Sequence, residues 1–183
     1  MNIANMLTIF RIMLVPFFVF FTLIGPNNQL YFAIALLVFA IASITDAIDG
    51  KVARKYNLVT NFGKFMDPLA DKILIMAALI CLLHLHLIDV LIVIVILSRE
   101  FLVTSLRLIA SSSGRVIAAN FFGKLKTVSQ IFAIMSCLVF AIWPFYAPLF
   151  WICQILIIFA TATTIISGVI YMIQNIDFIK DVK

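Results

Sequence analysis

Four aspartates in one stretch are the residues of this chain best suited to chemistry. The stretch runs Asp46-Ala-Ile-Asp49-Gly50-Lys51-Val52-Ala53-Arg54 and then Gly63-Lys-Phe-Met-Asp67-Pro-Leu-Ala-Asp71, and it holds four of the eight acids in the sequence. Asp46 and Asp49 stand three apart and Asp67 and Asp71 four apart, spacings that put each pair on one helix face. Four carboxylates facing one another repel unless protonated or neutralised by cations. The natural neutraliser is a hard divalent ion with oxygen ligands, Mg²⁺ or Mn²⁺, as one ion or as two. No His or Cys lies nearby to suggest zinc. Two metals held by acids can bridge a pyrophosphate and stabilise charge developing on its leaving oxygen. Gly50, Ala53 and Gly63 let a flat ring or a phosphate approach the backbone; close helix packing is the alternative role, above all for Ala53.

The elements that must position these acids are set by composition. The chain has 183 residues, 65% hydrophobic and 11% charged, with a mean hydropathy of +1.22. Soluble domains average about a quarter charged, so lipid has to solvate much of this surface. Apolar runs near 9–25, 30–49, 63–86, 88–110, 125–143 and 148–173 each approach the length that crosses a bilayer, roughly 20 residues. Backbone groups in lipid must be satisfied internally, and runs such as Val90–Leu97 do not alternate in polarity, so helices are expected rather than a strand barrel. Gly25-Pro26-Asn27-Asn28 reads as a turn between spans, which makes the first apolar run a permanent helix rather than a cleaved signal. A short amphipathic turn over Asn2–Leu7 is expected to precede it at the interface. The loops 25–29, 84–89 and 144–148 contain no Lys or Arg. The expectation is an all-α integral membrane protein with six transmembrane helices, both termini cytoplasmic, forming one domain over 1–183. The net charge of +5 is scattered among hydrophobic helices with no basic arm, which argues against a nucleic-acid partner. Acids at a membrane edge are costly, so four of them on paired faces point to function rather than to pairing with Lys51, Arg54, Lys64 and Lys72.

The full pattern, D-x-x-D-G-x-x-A-R-x8-G-x3-D-x3-D, resembles the signature of the CDP-alcohol phosphotransferase family, with every defining position filled. Six helices, with the signature across the second and third, are similar to that family along the whole chain. The resemblance implies that Asp46, Asp49, Asp67 and Asp71 bind the metal pair and that Asp71 is the candidate base for the acceptor hydroxyl. It implies a CDP pocket lined by Asp49, Gly50, Ala53, Arg54 and Gly63, and a homodimer. An acceptor alcohol would attack the β-phosphorus of a CDP-lipid and release CMP.

A second polar cluster bears on the acceptor. Ser98, Arg99, Glu100, Thr104, Ser105 and Arg107 lie in the inner half of the fourth span, followed by Arg115 and by Gly123-Lys124-Leu125-Lys126-Thr127. Glu100, Thr104 and Arg107 fall close to one helix face, with Arg99 about a quarter-turn away. Arg107, Lys124, Lys126, Arg99 and Arg115 are the candidates to clamp an anionic acceptor's phosphate. Orientation and snorkelling account for Arg115 and Lys124 equally well. The cluster, with Asn5-Met-Leu7-Thr8-Ile-Phe-Arg11 and Thr164-Ile-Ile-Ser167-Gly-Val-Ile-Tyr171, resembles the branch of the family that acts on CDP-diacylglycerol and glycerol 3-phosphate in a bacterial inner membrane. Inositol phosphate, serine or phosphatidylglycerol are the alternative acceptors, and a small cation transporter is the alternative from another class. Cys81, Cys137 and Cys153 are odd in number and lie within apolar runs without a C-x-x-C, so buried free thiols are expected.

Overall fold

The computed structural model describes residues 3–55, 61–112 and 121–175; within them, the side chains of residues 3–5, 7, 46–55, 61–69, 71, 111 and 112 lie outside the description. The described residues form six α-helices and no strand: α1 (Ile3–Ile24), α2 (Gln29–Lys55), α3 (Asn61–His84), α4 (Val90–Ser112), α5 (Phe121–Ile142) and α6 (Ala147–Gln174). Among the described residues, three segments are long and apolar enough to cross a membrane: Thr8–Asn27, Phe121–Ile142 and Ala147–Gln174. Gln29–Thr45 and Lys72–His84 are shorter apolar stretches among the described residues.

Several boundaries differ from the expected ones in an informative direction. The second helix runs on to Lys55 and the third opens at Asn61, so both halves of the aspartate signature are helical. The amphipathic turn expected before the first span is, from Ile3 onward, simply the start of α1. The expected turn at Gly25–Asn27 is present as a 3-10 turn. Asn28 then accepts a hydrogen bond from the Leu30 amide at 2.9 Å, which satisfies a free donor at the start of α2. Gly25 is required there because a Cβ would stand 2.3 Å from the Phe32 ring.

Helix α1 packs against both α2 and α3, while α5 packs against α6, α2 and α3; α4 leans chiefly on α6. Small residues on the contact faces (Ala35 and Ala42 on α2, Ala78 on α3, Ala133 on α5) are fully buried and let the helices approach closely. Phe18 and Phe39 fill the α1–α2 seam with ring centroids 5.5 Å apart. Outward faces carry Leu91, Phe121 and Trp151, each more than 60% exposed. Apolar surface on that scale is stable in lipid and not in water.

The cysteine expectation is corrected for two of the three residues. Cys137 on α5 and Cys153 on α6 are disulfide-bonded, with Cα atoms 5.1 Å apart, and Cys81 is a buried free thiol. Spacing along the chain hides this pairing. The α5–α6 hairpin brings residues 16 apart face to face. Alkylation of the denatured, unreduced protein should therefore add one label, at Cys81, and three after reduction; three labels without reduction would contradict the pairing.

Candidate active site

Helix α2 carries Asp46, Asp49, Gly50, Ala53 and Arg54 in its last turns, and α3 carries Gly63, Asp67 and Asp71 in its first half. Helical backbone through both segments keeps the spacings that put each acid pair on one face. The side chains of these eight residues, and all of Arg115, lie outside the described residues. Among the described residues no three His, Cys, Asp or Glu gather into a metal-binding group.

The described part of the site is built around Glu100 on α4, which is 8% exposed. Its Oε1 accepts from Lys126 Nζ, carried by α5, and from Arg99 Nη1 at 3.2 Å. A lone carboxylate buried among apolar helices is very costly, and two cations remove that cost. Arg99 also donates through Nη2 to Ser167 Oγ on α6 at 2.6 Å. Its stem lies against Gly168, where a Cβ would stand 2.9 Å from Arg99 Cγ. Glycine at 168 makes room for the arginine.

From this centre the network reaches towards the signature. Thr104 Oγ1 donates to the Glu100 carbonyl at 2.6 Å, as helix hydroxyls do one turn back, and Lys72 Nζ, on α3 next to Asp71, donates to Thr104 Oγ1. A space of about 10 Å³ between α3, α4 and α5, roughly one water in size, is bordered by Lys72, Glu100, Lys126 and Gln130. Behind it, α5 and α6 are joined by Ser129–Thr163 at 2.9 Å and by Gln130 Nε2 donating to Thr164 Oγ1 at 3.1 Å.

The basic residues expected to read an anion fall into two groups. Lys126 and Arg99 are engaged with Glu100, whereas Lys124 and Arg107 are exposed. Arg107 lies over the ring of Tyr171, its guanidinium carbon 5.4 Å from the centroid. Arg11, which closes the Asn5–Arg11 motif, is buried in α1 at 1% exposure. Sequence reasoning did not find Ser129, Gln130 and Thr163. Their signal was available: polar residues at helical spacing inside two otherwise apolar runs, which have to bond to each other. Chemically the described residues offer a cationic surface on α4 and α5, with Arg107 and Lys124 exposed and Lys126 and Arg99 held by Glu100.

Comparison with known proteins agrees with this pattern. The family model described as CDP-alcohol phosphatidyltransferase matches residues 1–169. A Bacillus subtilis protein named CDP-diacylglycerol–glycerol-3-phosphate 3-phosphatidyltransferase is 42% identical over 98% of this chain and 97% of its own. A Rickettsia typhi protein of the same name is 45% identical over 73% of this chain and 74% of its own. A Mycobacterium tuberculosis protein named "Probable phosphatidylglycerophosphate synthase" is 38% identical over 100% of this chain and 85% of its own. With the family model covering most of its length and relatives aligned nearly end to end, the chain belongs to the CDP-alcohol phosphatidyltransferase family.

Proposed function

We propose that this protein transfers the phosphatidyl group of CDP-diacylglycerol to glycerol 3-phosphate, giving phosphatidylglycerophosphate and CMP. The observation that carries the reading is likeness over nearly the whole chain to relatives named for that reaction. The complete aspartate signature and the exposed Arg107 and Lys124 support the same assignment.

In this reading one domain, 1–183, crosses a bacterial cell membrane six times. Both termini and the signature face the cytoplasm, where glycerol 3-phosphate and CMP are soluble. Loops without Lys or Arg at 25–29, 84–89 and 144–148 support that orientation. The protein acts as a homodimer. Asp46, Asp49, Asp67 and Asp71 are an oxygen-only donor set and so fit Mg²⁺ or Mn²⁺, one ion or two, and nothing in that set favours a softer metal. Such ions, when bound, neutralise pyrophosphate charge and the oxygen that leaves with CMP.

The chain's own residues carry the remaining steps. Gly50, Ala53 and Gly63 admit the cytidine and its phosphates close to the backbone of α2 and α3, with Asp49 and Arg54 alongside. Arg107 and Lys124 hold the acceptor's phosphate, with Lys126, Arg99 and Arg115 adding positive potential. Asp71 takes the acceptor's hydroxyl proton as the new bond to the β-phosphorus forms and the bond to CMP breaks. Holding both substrates in line supplies much of the rate.

Purified protein given CDP-diacylglycerol and a panel of alcohols should release CMP with glycerol 3-phosphate, lose that activity in EDTA and regain it with Mg²⁺ or Mn²⁺. Release with serine, inositol phosphate or phosphatidylglycerol in its place would reassign the acceptor, and full activity in EDTA would remove the metal. Asp71→Asn should lower kcat by about 100-fold or more, as loss of a general base does, with CDP-diacylglycerol binding much less affected. Near-normal turnover in that variant would place the base elsewhere.

A further inference from the structure

Helix α6 meets α4 through Ser167, Gly168 and Tyr171. Ser167 and Gly168 hold Arg99, as described above, and Tyr171, one turn after Ser167, lies under Arg107. The two ends of the Arg107–Tyr171 pair differ sharply. Tyr171 is 2% exposed, while Arg107 is exposed. The Tyr171 hydroxyl is buried and has no hydrogen-bond partner among the described residues. The contact of Tyr171 with Arg107 is therefore made by its ring and not by a hydrogen bond from its oxygen.

A long arginine side chain at an exposed position samples many rotamers, and ordering it when an anion arrives costs affinity. A guanidinium held within about 6 Å of an aromatic centroid is already localised. The ring takes up none of its N–H groups, so the donor fork remains available to a phosphate. The fixed partner here is the buried ring, packed in place by the helix bundle.

We propose that Tyr171 is a positioning residue for recognition of the acceptor's phosphate, acting through Arg107 by holding the guanidinium ready for the anion. The proposal deepens the acceptor assignment above and rests on it for the identity of the acceptor. The chemistry recognised is a phosphate monoester, and its source is the soluble acceptor and not a lipid headgroup.

The test uses the full-length protein in neutral micelles, with Tyr171→Phe and Tyr171→Leu each made alone and together with Arg107→Ala. The readouts are the Kd for inorganic phosphate and the KM values for glycerol 3-phosphate and CDP-diacylglycerol. Tyr171→Leu should raise the phosphate Kd and the glycerol 3-phosphate KM about three- to tenfold, the range set by loss of one cation–π contact. The CDP-diacylglycerol KM should stay the same, which also shows that the variant is folded. Tyr171→Phe keeps the ring and should stay within about twofold of the parent protein, since the hydroxyl makes no hydrogen bond to lose. In the Arg107→Ala background, Tyr171→Leu should add nothing. Phosphate affinity that follows the pair, in a protein that does not turn over glycerol 3-phosphate, would support the stack and reject that acceptor. Unchanged phosphate affinity in Tyr171→Leu, a Phe variant as impaired as the Leu variant, or an equal loss without Arg107 would overturn the proposal. Competition between phosphate and added phosphatidylglycerol would assign the pair to headgroups and overturn it as well.

Discussion

A carboxylate buried among apolar helices dictates much of what surrounds it. Glu100 has to be neutralised where it stands, and the neutralising cations come from its own helix, through Arg99, and from α5, through Lys126. Arg99 in turn reaches α6 at Ser167. One acid thus ties three helices together through side chains that are largely buried. This matters most for α4, whose packing rests largely on α6. In lipid there is no hydrophobic force between apolar helices, so polar ties of this kind carry more of the specificity of assembly.

The same interaction organises the chemistry. Pairing with Glu100 removes Lys126 and Arg99 from the set of freely exposed cations, and among the described residues of the cluster Arg107 and Lys124 are exposed. Thr104 and Lys72 extend the network to α3, one residue from Asp71. The helix that supplies the proposed base is therefore bonded to the helix that supplies the proposed anion clamp. Two substrates that must react in line need their separate binding groups held at a fixed distance, and a short chain of hydrogen bonds does this without a loop.

Much of this was legible in the residues themselves. Apolar runs of the right length gave the six helices to within a few residues, because lipid permits little except helix. The boundaries were set short at the start of α1 and at the end of α2, where charged residues such as Asp46–Arg54 look like loop when read by hydropathy alone, yet they continue the helix to Lys55. Arg99 and Lys126 were legible as a cationic cluster, but that Lys126 reaches Glu100 depends on the meeting of α4 with α5, a tertiary fact. Lys126 follows Glu100 by 26 residues, and no helical periodicity connects them. Cys137 and Cys153 failed for the same reason, being partners only once the hairpin closes. Tyr171 could be singled out as part of a motif, but its role under Arg107 needs the packing of α6 on α4.

The claim that Glu100 and Lys126 form a mutually dependent buried pair is tested most directly by a double-mutant cycle on unfolding free energy in mixed micelles. Glu100→Gln and Lys126→Met each break the buried charged hydrogen bond and should each cost about 1.5–3 kcal/mol. The double variant has no such bond left to break, and its loss should fall well below the sum of the single losses, by an interaction energy of roughly 1–3 kcal/mol. Single losses that simply add would contradict the account, because two residues that do not depend on each other cannot be what fixes α4 against α5.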